Sequence, residues 1–208
     1  MCIQNDSVWI LGGKNETLVQ HTVSRKMQGT LWFIAGYSKS GKTTAGDLLT
    51  EIIKGNHTTF AKAVKDDVSR LTGIERALFE TQEGKAAMYE GGKTGRQLLI
   101  EHAAVEKERT CDPAYWAVKV GDTIAAAPDT TPWVLSDWRY NAEIAYLRHR
   151  FPSRRVVTLH IERPGIIPSS SPSEHELDDE QFEYRILNSG SLLYLGAQIQ
   201  HIVWELNM

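Results

Sequence analysis

The 208-residue sequence contains only two cysteines, Cys2 and Cys111, and no apolar run long enough to cross a bilayer. Two cysteines so far apart provide neither a disulfide framework nor the spacing of a thiolate metal site, which agrees with a reducing compartment. The N-terminus lacks a basic start followed by an apolar stretch. The sequence therefore predicts no signal peptide or membrane anchor, and a cytoplasmic location.

The sequence also has no strong excess of one charge, because its 23 Lys and Arg and 26 Asp and Glu give a formal net charge of −3. Without a broad basic face, a nucleic-acid partner would have to be held by a local patch. One candidate patch comprises Arg148, Arg150, Arg154 and Arg155, and the same cluster is equally typical of a solvated helix end. The composition is otherwise that of a globular protein, 41% hydrophobic and 24% charged.

Strand-like and helix-like patterns alternate along most of the chain, and no internal repeat is visible. This alternation predicts a mostly parallel sheet covered by helices on both faces, in three α/β/α layers. Apolar β-rich runs mark predicted strands at residues 30–37, 56–61, 131–137, 154–162 and 182–188, and helical spacing marks residues 41–55, 141–150 and 191–206.

The remaining segments divide the chain further. Residues 1–28 are predicted to be an N-terminal extension, in which Gly12-Gly13 indicates the turn of a small hairpin, and residues 29–208 are predicted to be one domain. Within that domain, residues 62–127 have a helical pattern between two strands, which predicts a helical insertion. Residues 163–180 are rich in Pro and Ser with an acidic helical end, and predict a lid-like loop.

The stretch GYSKSGKTT, residues 36–44, has the spacing G-x-x-x-x-G-K-[ST]. It follows an apolar run and opens a helical pattern, the context in which this spacing predicts a P-loop for the phosphates of ATP. Its glycines let backbone N–H groups turn toward phosphate oxygens, the Lys42 ammonium neutralises the β and γ oxygens, and the Thr43 hydroxyl is a ligand for Mg²⁺. The predicted ATP-binding residues here are Gly36, Ser38, Lys39, Ser40, Gly41, Lys42, Thr43 and Thr44.

A P-loop alone does not say which molecule receives the γ-phosphoryl group. Further motifs follow it in a fixed order: FAKAVK at 60–65, RQLLIE at 96–101, DPAYWA at 112–117, SDWRY at 136–140, ERPG at 162–165 and LNSG at 187–190. Their order resembles that of bacteriophage deoxynucleoside monophosphate kinases from residue 30 to the C-terminus, and more distantly that of animal phosphomevalonate kinases. The resemblance implies a P-loop NTPase fold, ATP and Mg²⁺ as cofactors, acceptor binding by the 62–127 helices and a lid at 163–180.

The resemblance also implies roles near the transferred phosphoryl group, beside the catalytic Lys42. Asp137 and Arg139 match the family's SD.R motif, so Asp137 would hold Mg²⁺ and Arg139 would contact a phosphate. Arg163, at the start of the lid, would cover the transferring charge. The residues themselves leave alternatives open, because Asp137 is also a favourable N-cap for the following helix and both arginines are compatible with a solvated surface.

On the acceptor side, the resemblance implies that Lys62, Lys65 and Arg96 bind the acceptor. A guanidinium fork at the start of a helix suits bidentate capture of an acceptor phosphate. Exposed helical faces are the alternative for all three residues. Trp116 is expected either to pack in the core or to stack on the acceptor base.

On the ATP side, Asn188 and Gly190 match the family's N.G motif, which resembles an adenine-edge contact, and a turn before the last helix is the alternative. The P-loop departs from the family's usual G-K-D-[ST], since this chain has Gly-Lys-Thr-Thr at 41–44. The departure favours Mg²⁺ ligation by Thr43 and weakens close membership of the family.

Two acceptors are compatible with these features. The favoured one is a free deoxynucleoside monophosphate, and the alternative is 5-hydroxymethyluracil in phage DNA, phosphorylated during base hypermodification. The departure at Thr43 and the N-terminal extension favour the second, and the acidic net charge opposes it. A small-metabolite kinase and an ATPase without an acceptor are more remote alternatives. A homodimer is compatible with the sequence.

Overall fold

The structure, a computed structural model, describes residues 27–208 together with two short segments, 7–8 and 21–22. The two segments are strands β1 (Ser7–Val8) and β2 (His21–Thr22), which pair antiparallel, as the arms of a hairpin would. The Gly12-Gly13 turn predicted between them lies outside the described residues.

The remaining strands and the helices alternate along residues 27–208. The strands are β3 (Leu31–Ala35), β4 (Asn56–Thr58), β5 (Met88–Tyr89), β6 (Lys93–Thr94), β7 (Trp133–Leu135), β8 (Val156–Glu162) and β9 (Tyr184–Leu187). The helices are α1 (Lys42–Ile53), α2 (Phe60–Thr72), α3 (Gln82–Ala86), α4 (Gly95–Thr110), α5 (Tyr115–Ala125), α6 (Asn141–Arg150), α7 (Pro172–His175) and α8 (Leu192–Asn207), with a 3-10 helix at Arg76–Glu80. No helix in this part of the chain is long and apolar enough to span a membrane.

The main sheet has five strands in the order β4-β7-β3-β8-β9, and each neighbouring pair is parallel. Strand β3, which leads into the P-loop, is therefore central. Because all five strands run the same way, the residues that follow them meet along one carboxyl edge of the sheet, where open α/β folds bind ligands.

Side chains of β3 alternate between two hydrophobic cores, because successive residues of a strand point to opposite faces. Leu31 and Phe33 pack with α2, α5 and α6 on one face, and Trp32 and Ile34 pack with α1 and α8 on the other. Every residue of β3 is at most 1% exposed. This arrangement confirms the predicted three-layer α/β/α fold with a parallel central sheet.

The second predicted strand is shorter than the sequence suggested. Residues 56–61 were expected to be extended, but β4 ends at Thr58 and α2 begins at Phe60. The side chain of Thr59 accepts a hydrogen bond from the Lys62 N–H at 3.0 Å and so caps the helix. The apolar Phe60 was therefore misassigned because it belongs to the buried face of a helix.

The 62–127 region is helical as predicted, with one addition. Strands β5 and β6 form a small antiparallel hairpin, in which Met88 pairs with Thr94 and Tyr89 with Lys93. Its turn contains Gly91 and Gly92 at φ +88° and +73°, the left-handed region that favours glycine.

Candidate functional site

The P-loop lies at the carboxyl end of β3 and depends on its two glycines. Gly36 and Gly41 have φ angles of +138° and +104°. A Cβ on Gly36 would lie 2.4 Å from the Ile161 carbonyl oxygen, and one on Gly41 would lie 2.4 Å from Nδ2 of Asn188. Only glycine therefore fits at either position.

Lys42 lies inside this loop, 9% exposed. Its Nζ donates to the carbonyl oxygens of Gly36 and Tyr37 at 2.6 and 2.7 Å. Burial, together with the charge of Arg139, lowers the pKa of Lys42 to about 8, although two nearby carboxylates oppose the shift. The Lys42 ammonium donates to carbonyl oxygens and forms no salt bridge with a described carboxylate, so an anion in the loop could pair with it.

The other P-loop residues have the exposure expected of a phosphate-binding loop. Ser38 and Lys39 are exposed at its tip, and Thr43 and Thr44 are exposed in the first turn of α1. The buried Oγ of Ser40 has no hydrogen-bond partner among the described residues. The backbone shape that the glycines allow and the buried Lys42 ammonium together fit a triphosphate.

Asn188 holds the P-loop from the far edge of the sheet. Its Nδ2 donates to the Ser40 carbonyl oxygen at 2.8 Å, and its backbone N–H donates to the Glu162 carbonyl oxygen at 2.7 Å. Gly190 is exposed just before Ser191, whose side chain caps α8. The structure thus places Asn188 against the P-loop backbone and Gly190 in the turn before the last helix.

Glu174, on the short helix α7, was not predicted and lies over the P-loop. Its Oε2 accepts the Ser38 backbone N–H at 2.8 Å, and its Oε1 pairs with the Arg139 guanidinium. The Glu174 side chain is only 5% exposed. Burial alone would raise its pKa, but the Ser38 N–H and the Arg139 charge hold the pKa of Glu174 below its ordinary value.

The predicted lid is therefore folded onto the P-loop. The Tyr37 hydroxyl donates to Asp178 at 2.9 Å, and the other carboxylate oxygen of Asp178 lies 2.7 Å from Nδ1 of His175. Arg163 is exposed at the end of β8, and its guanidinium has no hydrogen-bond partner in residues 27–208. Of the two predicted arginines, the structure brings Arg139 to the P-loop and leaves Arg163 in solvent.

Asp137 follows β7 and caps a helix, but a different one from the helix considered in the sequence. Its two carboxylate oxygens accept the backbone N–H groups of Phe60 and Ala61, each at 2.8 Å. These groups open α2, whereas the sequence alternative was the helix that follows Asp137 in the chain. Burial raises the pKa of Asp137, and the two N–H groups oppose the shift. A direct role in Mg²⁺ binding stays a prediction.

The predicted Mg²⁺ ligand Thr43 has no preformed carboxylate cage around it. No group of three or more His, Cys, Asp or Glu side chains arranged to hold a cation occurs in the part of the chain that the structure describes.

Glu143 is a second buried carboxylate that the sequence did not single out. It is 4% exposed, and its Oε2 accepts the backbone N–H groups of Arg139 and Tyr140, both at 3.1 Å. Burial raises its pKa to about 8, and the neighbouring Asp137 adds to the shift. Glu143 therefore fixes the backbone that carries Arg139.

Three polar side chains form a chain of hydrogen bonds beside the first turns of α1. Nε2 of His57 lies 2.7 Å from Oγ of Ser136, and Nδ1 of His57 lies 2.8 Å from Asp47. Ser136 is 1% exposed, so its hydroxyl does not face solvent as a nucleophile would. The three residues instead join β4, β7 and α1.

A basic cluster of Lys65, Arg76, Lys85 and Arg96 lies in the helical region that was predicted to bind the acceptor. Nζ of Lys65 donates to Glu80 at 2.6 Å, and Arg76 donates to both Asp66 and Glu80 at 2.6 Å. Burial lowers the pKa of Lys85, and the charges of the other three cations contribute. Among the described residues, Arg96 hydrogen-bonds only to a neutral group, Oε1 of Gln82, at 3.1 Å.

The predicted acceptor residues are therefore not equivalent. Lys65 and Arg96 belong to the basic cluster, whereas Lys62 is exposed and pairs with Asp66 at 2.7 Å on its own helix. Trp116 is 2% exposed and donates its indole N–H to the Ala103 carbonyl oxygen at 3.1 Å. The packing alternative for Trp116 is the correct one, because neither face of a core indole is open to a base.

No protein-family model matches the sequence, and no curated protein does. Solved structures with a similar arrangement include an APS kinase from Mycobacterium tuberculosis in complex with AMPPNP and APS, at 11% identity and a TM-score of 0.49 over 87% of this chain and 99% of the other. A gluconokinase from Sinorhizobium meliloti 1021 is similar at 12% identity and a TM-score of 0.47 over 87% and 94%. A dephospho-CoA kinase from Campylobacter jejuni is similar at 10% identity and a TM-score of 0.47 over 85% and 97%. At these scores the likenesses assign no function, which has to be inferred from the site.

Proposed function

We propose that this chain transfers the γ-phosphoryl group of Mg·ATP to a deoxynucleoside monophosphate. The observation that carries the proposal is the excess of positive charge in the basic cluster. Lys65 and Arg76 pair with the carboxylates of Asp66 and Glu80, and no carboxylate of the described residues pairs with Lys85 or Arg96. An excess of this kind favours an anionic acceptor such as a phosphate monoester over a neutral alcohol. The deoxynucleoside part of the proposal is supported by the order of motifs that resembles phage deoxynucleoside monophosphate kinases.

The helix that carries Lys65 begins at the same carboxyl edge of the sheet as the P-loop. Helix α2, which carries Lys65, starts on the Asp137 carboxylate at the carboxyl end of β7. Strand β7 is the direct neighbour of β3, the strand that leads into the P-loop. The donor and acceptor anions would thus approach each other along one sheet edge, as in-line transfer requires.

The chain's own residues have mostly positioning and electrostatic roles in this reaction. The P-loop N–H groups would hold the β- and γ-phosphates. The Lys42 ammonium would leave the carbonyl oxygens of Gly36 and Tyr37 and contact oxygens of these phosphates instead. Thr43 would hold Mg²⁺, which supplies neutralising charge when bound. Arg139 would contact the transferring group. An ionised acceptor phosphate needs no general base, which agrees with an Asp137 carboxylate already hydrogen-bonded to two N–H groups.

A DNA-borne acceptor has less support from the charges. Arg150 pairs with Asp122 at 2.8 Å, Arg154 with Asp129 at 3.2 Å, and Arg155 with Glu183 at 2.6 Å. Three of the four arginines that formed the candidate phosphate-tracking patch are thus neutralised within the chain. We therefore propose the free nucleotide and treat DNA as an arm of the test.

The test offers γ-labelled ATP and Mg²⁺ with each deoxynucleoside monophosphate, with DNA that contains 5-hydroxymethyluracil, and with water alone. Label in one or more diphosphates supports the proposal. Label in DNA only, or release as inorganic phosphate only, would replace it by the corresponding alternative. Lys42→Ala should abolish transfer, and retained activity would mean that the P-loop does not bind the donor.

The acceptor site is tested separately by Lys85→Ala and Arg96→Ala. Each should raise the KM for the acceptor about tenfold and leave the KM for ATP unchanged, because one charge-assisted contact to a phosphate is lost. Lys119→Ala is the matched control, since Lys119 is exposed on α5 outside the basic cluster. An unchanged acceptor KM in both variants would exclude the basic cluster as the acceptor site.

A further inference from the structure

The contact of Glu174 with the P-loop has no part in the phosphoryl transfer proposed above. A carboxylate from α7 accepts the N–H of Ser38, a residue 136 positions earlier in the chain. The same carboxylate pairs with Arg139. Its side chain is 5% exposed, so these partners replace most of its water.

The P-loop N–H groups are built to hold anionic oxygens, and a carboxylate has the same charge and similar acceptor geometry as part of a phosphate. Glu174 satisfies the Ser38 N–H in the way that a phosphate oxygen would. It also neutralises the Arg139 guanidinium, the group expected to contact the transferring phosphoryl.

Neighbouring contacts fasten the same segment to the loop. The Tyr37 hydroxyl, inside the P-loop, donates to Asp178 at 2.9 Å, and Asp178 also contacts His175. Leu177, between them, packs against the core that contains Trp138. Glu174 is therefore held in place by a folded segment and is not a freely rotating surface side chain.

We propose that Glu174 is a built-in phosphate surrogate, which occupies the P-loop when no nucleotide is bound and must leave before a triphosphate enters. This inference rests on the proposed binding of ATP at the P-loop. Departure of Glu174 frees the Ser38 N–H for the phosphates and the Arg139 guanidinium for the transferring group. The segment 172–178 thus couples opening of the P-loop to release of Arg139.

The carboxylate therefore weakens the apparent affinity for ATP. The apparent dissociation constant equals the intrinsic one divided by the fraction of molecules in which the carboxylate has left the loop. Isothermal titration with Mg·ATP should compare the wild-type chain with Glu174→Gln, which keeps the side-chain length, and with Glu174→Ala. If the carboxylate occupies the loop nine-tenths of the time or more, both variants bind ATP about tenfold more tightly or better.

Glu176→Gln is the matched control, because Glu176 is an exposed glutamate two residues away that makes the same charge change. Its dissociation constant should stay within about twofold of the wild-type value. Equal or weaker ATP binding by both Glu174 variants would overturn the inference alone. Failure of the wild-type chain and of every variant to bind ATP would overturn the proposed function and the inference with it.

Discussion

Oγ of Ser136 and Nε2 of His57 lie 2.7 Å apart, and Gly46 of α1 packs directly against both residues. A Cβ on Gly46 would lie 2.8 Å from the Ser136 Cβ and 2.9 Å from the His57 ring. This contact brings α1, and with it Thr43, close to the end of β7. The hydrogen-bonded chain from Asp47 through His57 to Ser136 therefore depends on a residue without a side chain.

Gly46→Ala should lower the free energy of unfolding by about 1–3 kcal/mol, because the methyl group forces α1 away from a buried hydrogen bond. Gly196→Ala in α8 is the control, since its Cβ would meet no atom within 4 Å. That variant should gain about 0.5–1 kcal/mol from reduced unfolded-state entropy. Urea unfolding measures both, and equal effects would contradict the close packing at Gly46.

The lowered pKa of Lys42, about 8, predicts a pH dependence of ATP binding. Phosphates bind the ammonium form, so affinity should be level below pH 8 and fall as pH rises above it, by up to about tenfold per pH unit. Titrations between pH 7 and 9.5 test this. Lys42→Arg is the comparison, because a guanidinium stays charged throughout and should give a flatter profile. A level wild-type profile to pH 9.5 would contradict the prediction.

Glu143 should make folding stability fall with rising pH. Its pKa is about 8 in the folded chain, against an ordinary value of 4.5. The folded state therefore holds a proton that the unfolded state releases, and the resulting stability is lost as pH rises from about 4.5 to 8. Glu143→Gln should match the wild-type chain near pH 4.5 and exceed its free energy of unfolding by about 5 kcal/mol at pH 9. Thermal or urea unfolding of both chains at both pH values tests this. If the difference in stability between them did not depend on pH, titration of Glu143 would be ruled out as its cause.

Asn188→Ala should weaken ATP binding about tenfold, because the Ser40 carbonyl loses its donor and the P-loop loses a support. Gln97→Ala removes a comparable amide at the start of α4, whose Oε1 accepts the Thr94 backbone N–H at 2.8 Å. The control should bind ATP normally. Equal affinities in the two variants would show that the contact of Asn188 with Ser40 has no bearing on the P-loop.

Contiguous patterns were the easiest features to predict. The P-loop consists of consecutive residues, so its spacing can be recognised directly in the sequence. Helix α6 occupies residues 141–150, as its hydrophobic periodicity indicates. The burial of β3 follows from its unbroken apolar run. These features need no knowledge of distant partners.

Features that depend on long-range contacts were missed or left open. Glu174 is one of several acids in residues 174–180, and nothing local distinguishes the one that meets Ser38. Asp137 was assigned to the wrong helix as a cap, because the N–H groups it accepts lie 76 and 77 residues away. Phe60 shows the same effect, since the cap at Thr59 and the Asp137 carboxylate together turn an apolar strand pattern into a helix start.

The contact between Asn188 and Ser40 joins residues 148 positions apart. During synthesis, the β3 strand and the P-loop leave the ribosome long before the residues of β9 that bring this amide to them. If ATP binding depends on this contact, as proposed, it would begin only once the C-terminal strand is in place, and ATP added during translation would stabilise finished molecules selectively over nascent fragments.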